Sequence, residues 1–471
     1  MEANQIRAAA RPSAPWRAAW AAVAALAAGC AHYDGRPDAL GAAAVDQALQ
    51  PPAFASIKVA AAKIEHPILK PLVIEGQGGF SPDEIALMAV LANPHLRALR
   101  DQRGVAQAQV LQAGILPNPQ LGYALDQPHG NQDPTLVTGK NLGLSWDFGS
   151  LLGRPDRVAG ARATADALDL DIAWQEWQTA QAARLSAFRL LALRQRLPLA
   201  RQIEDDLADT LAASRQAVAL GHLTAVDLTA TTAQWIEAQN SRLAAEQEDR
   251  AERSALNLSL GLPAGYVLPL KPAGAFPALP AGVTPDSLLA GLEKRRLDLV
   301  ALTLGYESNE AGLRAAVKAQ FPRIGLSIAK VNDTSNVRTV TLGATIDLPL
   351  FDRNQGAIAG ARATRRQLFD EYVERVADAR AQVGLIFANL TAVQGQLKVA
   401  GDALPEWEQL VAAYETALVT RNADQVAYRV ARGTLAARRL AMAELQQQLL
   451  ELEVALEITT GRPLLNLNPP P

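Results

Sequence analysis

The chain repeats itself at a spacing of about 200 residues, and this duplication constrains the possible folds more than any other sequence feature. The hexapeptide Ala-Gly-Ala-Arg-Ala-Thr occurs at residues 159–164 and again at 359–364. Further upstream, Ser81-Pro82-Asp83 aligns with Thr284-Pro285-Asp286 at an offset of 203. The change of offset lies within residues 122–142. So many aligned matches favour a tandem duplication over coincidence.

Each copy predicts a helix, two strands joined by a turn, and two long helices joined by a second turn. Ser81 and Thr284 are N-cap residues followed by Pro, which is typical of a helix start. These first helices are predicted to end at about Leu116 and Ala319. The sequence thus predicts an extended N-terminal segment, the first repeat, a linker rich in Pro and Gly, the second repeat and a short tail. These occupy residues 30–80, 81–262, 263–283, 284–463 and 464–471.

The strand regions alternate between apolar and small or polar residues. Leu142, Leu144 and Trp146, for example, are separated by Gly143 and Ser145. A period of two places each set on one face of a sheet. Strands are predicted at about 119–127, 140–148, 322–331 and 338–348.

Two interpretations of these strands are open: hairpins lying on a globular core, or strands crossing a membrane with lipid on one side and water on the other. The predicted length of roughly 8–10 residues fits the second, since a tilted spanning strand needs about 9–11. Four strands cannot close a barrel, and an open sheet edge cannot remain in lipid. Spanning a membrane would therefore require several copies, and three copies give twelve strands.

The helices are too long for a compact domain. One helical stretch runs from Arg157 to Leu220, interrupted only by Pro198, and spans roughly 95 Å. It returns from Thr224 to Leu260, and the second copy repeats this plan with a break at Gly401 and Pro405. The last helix has a heptad seam, which predicts packing along its length. The seam consists of Leu435, Met442, Leu445, Leu449, Leu452 and Leu456. A purely structural coiled-coil hairpin is the alternative, but it does not explain the strands.

The N-terminus predicts export. Three arginines precede an apolar run at 18–28, which is too short to span a bilayer and indicates a signal peptide over residues 1–29. The only cysteine, Cys30, follows Ala-Gly as in a bacterial lipobox, although Leu26 lies one place earlier than usual. Acylation of Cys30 and an ordinary signal peptide with a chance cysteine are both open. Ala31 is not the Asp that retains such lipoproteins in the inner membrane, so the outer membrane is favoured.

Composition and motifs exclude other classes. Hydrophobic residues make up 49% of the chain but aromatic residues only 5%, which favours closely packed helices over one thick core. The formal net charge of -3 and the lack of a basic cluster argue against a nucleic-acid partner. The sequence has no P-loop, no dinucleotide-binding turn and no Cys/His metal spacing. We therefore expect no enzyme activity, no catalytic residue, no metal site and no cofactor besides the lipid on Cys30.

With these elements in place, the segment from Leu348 to Gly356 resembles the strand-to-helix turn of the TolC family of outer-membrane efflux proteins, in particular its lipoprotein branch. The residues that carry the match are Pro349, Phe351, Asp352, Asn354 and Gly356. Asn93-Pro94-His95-Leu96 and Arg296-Leu297-Asp298-Leu299 are further pieces similar to the family. The resemblance covers nearly the whole chain from residue 81 to 463.

The resemblance implies a mostly α-helical homotrimer with a twelve-stranded membrane β-barrel continuous with a twelve-helix periplasmic α-barrel. It implies passive conduction of small molecules from a periplasmic adaptor and an inner-membrane pump through the outer membrane, with a duct for type I secretion as the alternative. The cargo stays open. The helix tips would dock the adaptor. The tip residues are Leu220, Gly221, Thr224 and Asp227 in the first repeat, and Arg421, Asn422 and Asp424 in the second. Ala427 aligns with Asp227, so the acidic ring common in the family is missing or displaced to Asp424.

Overall fold

A computed structural model describes residues 33, 35, 40–51, 53–130, 134–272, 277–280, 282–420 and 425–465. The chain forms two units, residues 1–50 and 51–471. The described part of the first unit contains one exposed helix, α1 (Ala42–Ala48). The second unit begins with α2 (Phe54–Ala61). The sequence predicts an extended segment before Ser81, and this prediction is wrong at these two helices.

The first repeat in the second unit contains α3 (Pro82–Ala92), α4 (Pro94–Gly114), β1 (Gln120–Asp126), β2 (Gly139–Asp147), α5 (Arg154–Ala219) and α6 (Ala225–Ser259). The second contains α7 (Pro285–Leu289), α8 (Leu292–Arg295), α9 (Leu297–Lys318), β3 (Arg323–Asn332), β4 (Arg338–Asp347), α10 (Gln355–Val419) and α11 (Gln425–Thr460). The fold is mostly helical with four antiparallel strands, and each strand lies within two residues of its predicted limits.

The helix predicted from Ser81 to Leu116 is two helices, because Asn93 separates them. Pro94 disfavours the helical conformation at the residue before it. The Asn93 Oδ1 then caps α4 by accepting hydrogen bonds from the amides of His95 (2.8 Å) and Leu96 (3.2 Å). The corresponding helix of the second repeat is divided further, into α7, α8 and α9, and was also predicted as one.

The two longest helices continue through their prolines, so the predicted interruptions at Pro198 and at Gly401–Pro405 are wrong. A proline inside a helix removes one backbone hydrogen bond and costs about 3 kcal/mol. Tertiary packing on both sides of Pro198 offsets that cost, since Leu193 and Ala200 are both buried.

The helices lie side by side in a fixed order. Helix α4 packs against α5, α5 against α9, and α9 against α10, while α6 lies along α5 and α11 lies along both α5 and α10. The largest apolar core joins α2, α3, α5, α6 and α11, with Phe188 fully buried in it. On the heptad seam of α11, Leu435 and Leu456 are buried and Leu449 is partly buried.

Candidate functional site: sheet, junction and helix tips

The four strands form one sheet in the order β1-β2-β3-β4, with every neighbouring pair antiparallel. The two hairpins of the duplicated sequence therefore join through β2 and β3. Among the residues that the structure describes, β1 and β4 each have a strand neighbour on one side only. Their outer N–H and C=O groups form two open edges, which are ready to pair with another strand.

The register places the apolar positions of all four strands on one face of the sheet. Leu121 lies opposite Leu144, and Leu144 lies opposite Ile328. Ile328 in turn lies opposite Leu342. Between 45% and 78% of each of these side chains is exposed. A continuous apolar face of this kind marks a surface that is covered by lipid or by a partner.

The opposite face of the sheet carries small and polar residues. Gly122, Gly143, Ala329 and Thr341 form one row across the four strands, in register with one another. The two faces thus differ in the way expected when one faces hydrocarbon and the other water. Among the described residues, no helix is both long enough and apolar enough to cross a membrane.

The turn from β4 into α10, which carries the family motif, is held by its own side chains. Asn354 adopts the left-handed conformation with φ 58°, and its amide donates to the Asp352 Oδ1 at 2.8 Å. The Asn354 Nδ2 also donates to the carbonyl oxygen of Ala316 in α9, 2.9 Å away. The helix begins after Asn354. Phe351 is 92% exposed, Pro349 lies in the turn, and Gly356 lies in the first turn of α10.

The corresponding turn after β2 has contacts that the sequence did not predict. The indole nitrogen of Trp146 donates to the carbonyl oxygen of Pro117 at 2.7 Å. A β-carbon added to Gly149 would lie 2.7 Å from the Cα of Arg323, so only glycine fits there. The close approach of Gly149 to Arg323 therefore holds the turn of the first repeat against β3 of the second.

The tip of the first long hairpin brings together the residues predicted for it. Gly221 has φ 78°, the left-handed conformation that ends α5. Thr224 and Asp227 form a capping box at the start of α6, and this hydrogen bonding lowers the pKa of the Asp227 carboxyl. Leu220 (63%) and Val226 (77%) are strongly exposed. Arg421, Asn422 and Asp424 of the second tip lie outside the described residues, as does Cys30.

Ion pairs between the two hairpins lie near the tips, and the sequence analysis missed them. Asp206 on α5 binds Arg432 on α11 at 3.2 Å, and one helical turn closer to the tip Asp209 binds Arg429. Burial raises the pKa of the Asp206 carboxyl, against the opposing effect of the two arginines. The shared spacing of three residues is visible in the sequence of both helices, but it does not identify which residues pair.

Comparisons with known proteins agree with these features. Residues 288–462 match the family model for outer membrane efflux proteins. The chain is 24% identical over 300 residues to the cobalt-zinc-cadmium resistance protein CzcC of Cupriavidus metallidurans, covering 64% of this chain and 70% of CzcC.

Solved structures share the fold. The CusC channel matches with a TM-score of 0.63 and 17% identity, over 85% of this chain and 98% of CusC. The Campylobacter jejuni CmeC outer membrane channel matches with a TM-score of 0.65 and 12% identity, over 81% of this chain and 85% of CmeC. The chain thus shares the fold of these outer membrane channels. The match to the family model covers the second repeat, and the likeness to the solved structures covers both repeats.

Proposed function

We propose that this chain is the outer-membrane channel subunit of a tripartite efflux system and that it works as a homotrimer. One observation supports this most strongly. A four-stranded sheet with an apolar face and two open edges is continuous with helices that are far longer than a compact domain needs. Helix α5, with 66 residues, extends about 100 Å.

Three subunits close the sheet. Backbone N–H and C=O groups in hydrocarbon must all be paired, so the open edges of β1 and β4 need strands from other subunits. Pairing β4 of one subunit with β1 of the next gives a twelve-stranded barrel. The apolar face then turns towards lipid and the row of Gly, Ala and Thr towards water. Strands β2, β3 and β4, of 9 or 10 residues, match the roughly 9–11 residues that a tilted spanning strand needs, whereas β1, with 7, is shorter.

The long helices continue the barrel into the periplasm as a tube of twelve helices. The tube conducts passively, and the inner-membrane pump supplies the energy. The periplasmic adaptor docks on the tips, where Leu220 and Val226 present apolar surface. Opening the tips moves α11 away from α5, so the Asp206–Arg432 and Asp209–Arg429 pairs oppose it. Adaptor binding opens the tube only if the adaptor binds the open state more tightly.

A lipid anchor and the cargo class complete the proposal. Acylation of Cys30 places the N-terminus at the membrane surface; incorporation of labelled palmitate, lost in Cys30→Ala, tests it. The similarity to CzcC makes cobalt, zinc and cadmium the first cargoes to examine.

The alternative function is a duct for type I secretion. Deletion of the gene would then abolish export of a protein and leave resistance to metals and drugs unchanged.

Purification from outer membranes in detergent tests the channel itself. We expect a trimer by native mass and stepwise conductance in planar bilayers. A folded monomer that stays dissolved in buffer without detergent would refute the proposal.

A second experiment tests the ion pairs near the tips. The double variant Asp206→Ala/Asp209→Ala is expected to increase conductance and sensitivity to large antibiotics. Asp205→Ala is the matched control, since Asp205 is exposed on the same turn. Equal conductance in both variants would show that these ion pairs do not hold the tips closed.

A further inference from the structure

The apolar face of the sheet ends in three basic residues. Lys140 of β2 lies opposite Asn332 of β3, and Asn332 lies opposite Arg338 of β4. Lys330 lies on the same face, because it precedes Asn332 by two residues. All three basic side chains are exposed. Within the four described strands they are the only charged residues on this face, and we call them the basic triad.

The strand register brings the basic triad together around Asn332. Lys330 is the diagonal neighbour of both Lys140 and Arg338, which places the Cβ atoms of each pair about 7–8 Å apart. Lys140 and Arg338 lie on either side of Asn332, two strand spacings or roughly 10 Å apart. The three long side chains can therefore converge on one group. A phosphate fits such a site, since its oxygens accept charge-assisted hydrogen bonds from several cations at once.

The carboxylates nearest to the basic triad in the sequence are turned away from it. The Asp333 Oδ1 accepts from the amides of Ser335 and Val337, each at 2.9 Å, and so closes the turn between β3 and β4. Asp126 pairs with Gly139 in the register and lies on the opposite face of the sheet from Lys140. In the part of the chain that the structure describes, no ion pair includes a member of the triad. Its positive charge is therefore available to a ligand.

The basic triad lies at the end of the sheet farthest from the helices. Helices α5 and α10 follow β2 and β4 at the other end, where Trp146 and Phe148 stack with ring centroids 4.5 Å apart. From Ile324 to Asn332 the strand rises roughly 27 Å, or roughly 20 Å of height at a tilt of about 40°. The apolar band of a membrane barrel is about 25 Å tall. With the helices in the periplasm, as the proposed function has them, the triad lies where the outer leaflet changes from hydrocarbon to headgroups.

The face of the sheet identifies the kind of ligand. Of the cations in the described strands, only Arg323 lies on the water-facing side, and it lies at the helix end. The basic triad therefore meets lipid rather than cargo. A single lysine or arginine at this level is explained by its charged end reaching out of the hydrocarbon. Three adjacent cations repel one another, and an anion between them offsets that repulsion.

We propose that Lys140, Lys330 and Arg338 bind the phosphate groups of a phosphorylated glycolipid in the outer leaflet. The site rests on the proposed function, because only a membrane barrel with its helices in the periplasm brings this lipid to the triad. All three cations come from one chain, so each subunit carries a complete site. The apolar rows below the triad, with Leu142 and Val340, lie against the acyl chains of the same lipid.

Binding of lipid A to the purified trimer tests the site. Native mass in nonionic detergent, with added lipid A that carries both phosphates, measures the affinity. The triple variant Lys140→Gln/Lys330→Gln/Arg338→Gln is expected to bind about 100-fold more weakly, from a loss of about fivefold for each cation. Lys58→Gln/Lys63→Gln/Lys70→Gln is the matched control, since it removes the same charge from exposed positions outside the sheet. This control should bind lipid A as the unmodified protein does.

Two further probes separate the lipid from other sources of phosphate. Dephosphorylated lipid A should bind the unmodified protein no better than it binds the triple variant. Millimolar inorganic phosphate should not displace lipid A; complete displacement would mean that the site takes a soluble anion and that the lipid assignment is wrong. Equal binding of lipid A to a conducting trimer of the unmodified protein and of the triple variant would overturn the site and leave the channel standing. A monomer without conductance would refute the channel itself.

Moving one charge across the sheet tests the face without changing the net charge. Thr339 follows Arg338 and lies on the water-facing side. Arg338→Gln/Thr339→Lys should therefore bind lipid A about fivefold more weakly, as Arg338→Gln alone does, whereas Arg338→Lys should keep most of the affinity. Full binding in Arg338→Gln/Thr339→Lys would show that net charge, and not the outward-facing triad, attracts the lipid, and the proposal would be wrong.

Discussion

The two long helices α5 and α10 arise from the same duplicated sequence but have very different surroundings. Helix α5 has 22 buried residues among its 66, whereas α10 has five among its 65. Within one chain, α5 is enclosed by α3, α4, α6, α9 and α11. Helix α10 lies at the open side of the row. The difference shows that one chain buries the long helix of the first repeat far more completely than that of the second.

Aligned positions show how the two environments select different chemistry. Asn257 and Glu457 occupy the same place near the end of the last helix of each repeat, and both are buried. The Asn257 Nδ2 donates to the carbonyl oxygens of Ala264 and Tyr266. The Glu457 carboxylate accepts from the amide of Leu465 at 2.6 Å. Both side chains hold the segment that follows the helix, but only the carboxylate needs a buried cation.

The largest effect on the free energy of unfolding is expected at Arg184, the buried cation that pairs with Glu457. Arg184 binds Asp83 at 2.7 Å and Glu457 at 2.6 Å, and Arg184→Ala leaves the Glu457 charge buried. We expect a loss of about 3–5 kcal/mol of unfolding free energy at pH 7.5. Burial raises the pKa of Glu457, so protonation should reduce this loss at pH 5. Urea unfolding in detergent measures both.

The aligned position in the second repeat is Gly384, which is exposed with open space around it. Gly384→Ala should be neutral or stabilise by up to about 1 kcal/mol. Similar losses in Arg184→Ala and Gly384→Ala would contradict the contrast between the repeats.

A smaller effect on stability is expected at Glu453, and this effect should depend on pH. This side chain is 1% exposed, and burial together with the nearby Glu457 raises its pKa to about 7. The folded protein therefore holds the proton more tightly than the unfolded chain. Stability is complete below about pH 4.5, falls as pH rises towards 7 and stays lower above it. Glu453→Gln should remove this fall and be more stable at pH 8, by at most about 3 kcal/mol.

The aligned residue, Arg253, pairs with Asp249 on the surface of α6 at 2.7 Å. Arg253→Gln should change stability by less than about 1 kcal/mol, without a comparable pH dependence. Unfolding free energies at pH 5, 6.5 and 8 compare the two variants. A parallel pH profile for Glu453→Gln and the unmodified protein would show that Glu453 does not titrate in this range.

The smallest effect is expected at the exposed tip. Thr224→Ala removes the cap of α6 and should cost about 1 kcal/mol. In the sequence Thr224 aligns with Asp424, and Asp is also a good cap, so Thr224→Asp should restore the stability. Hydrogen exchange of the first turn of α6 reports the cap, and crosslinking to the adaptor reports docking. Loss of crosslinking in Thr224→Asp with normal exchange would indicate that the hydroxyl or the tip charge contacts the adaptor.

The local sequence pattern was sufficient to predict the positions of the strands and of the long helices. The period of two in β2, such as Leu142 and Leu144, gave its limits to within two residues. The break at Asn93 was readable in principle, because Pro follows it. Continuity through Pro198 was not, since it depends on packing from other parts of the chain. The pairing of Asp206 with Arg432 joins residues more than 200 positions apart. Sequence alone does not give the relative register of two helices so distant in the chain.

The neighbouring position of β2 and β3 has a consequence for how the molecule is made. Leu144 and Ile328 lie opposite each other, although about 180 residues separate them along the chain. Because closing so long a loop precedes any gain from pairing, this step should be slow. The first hairpin is translocated before the second. Its apolar side chains therefore stay exposed until the second hairpin has also been translocated. Biogenesis should therefore depend on holdase chaperones, and the dependence should disappear in a circular permutant that makes both hairpins consecutively.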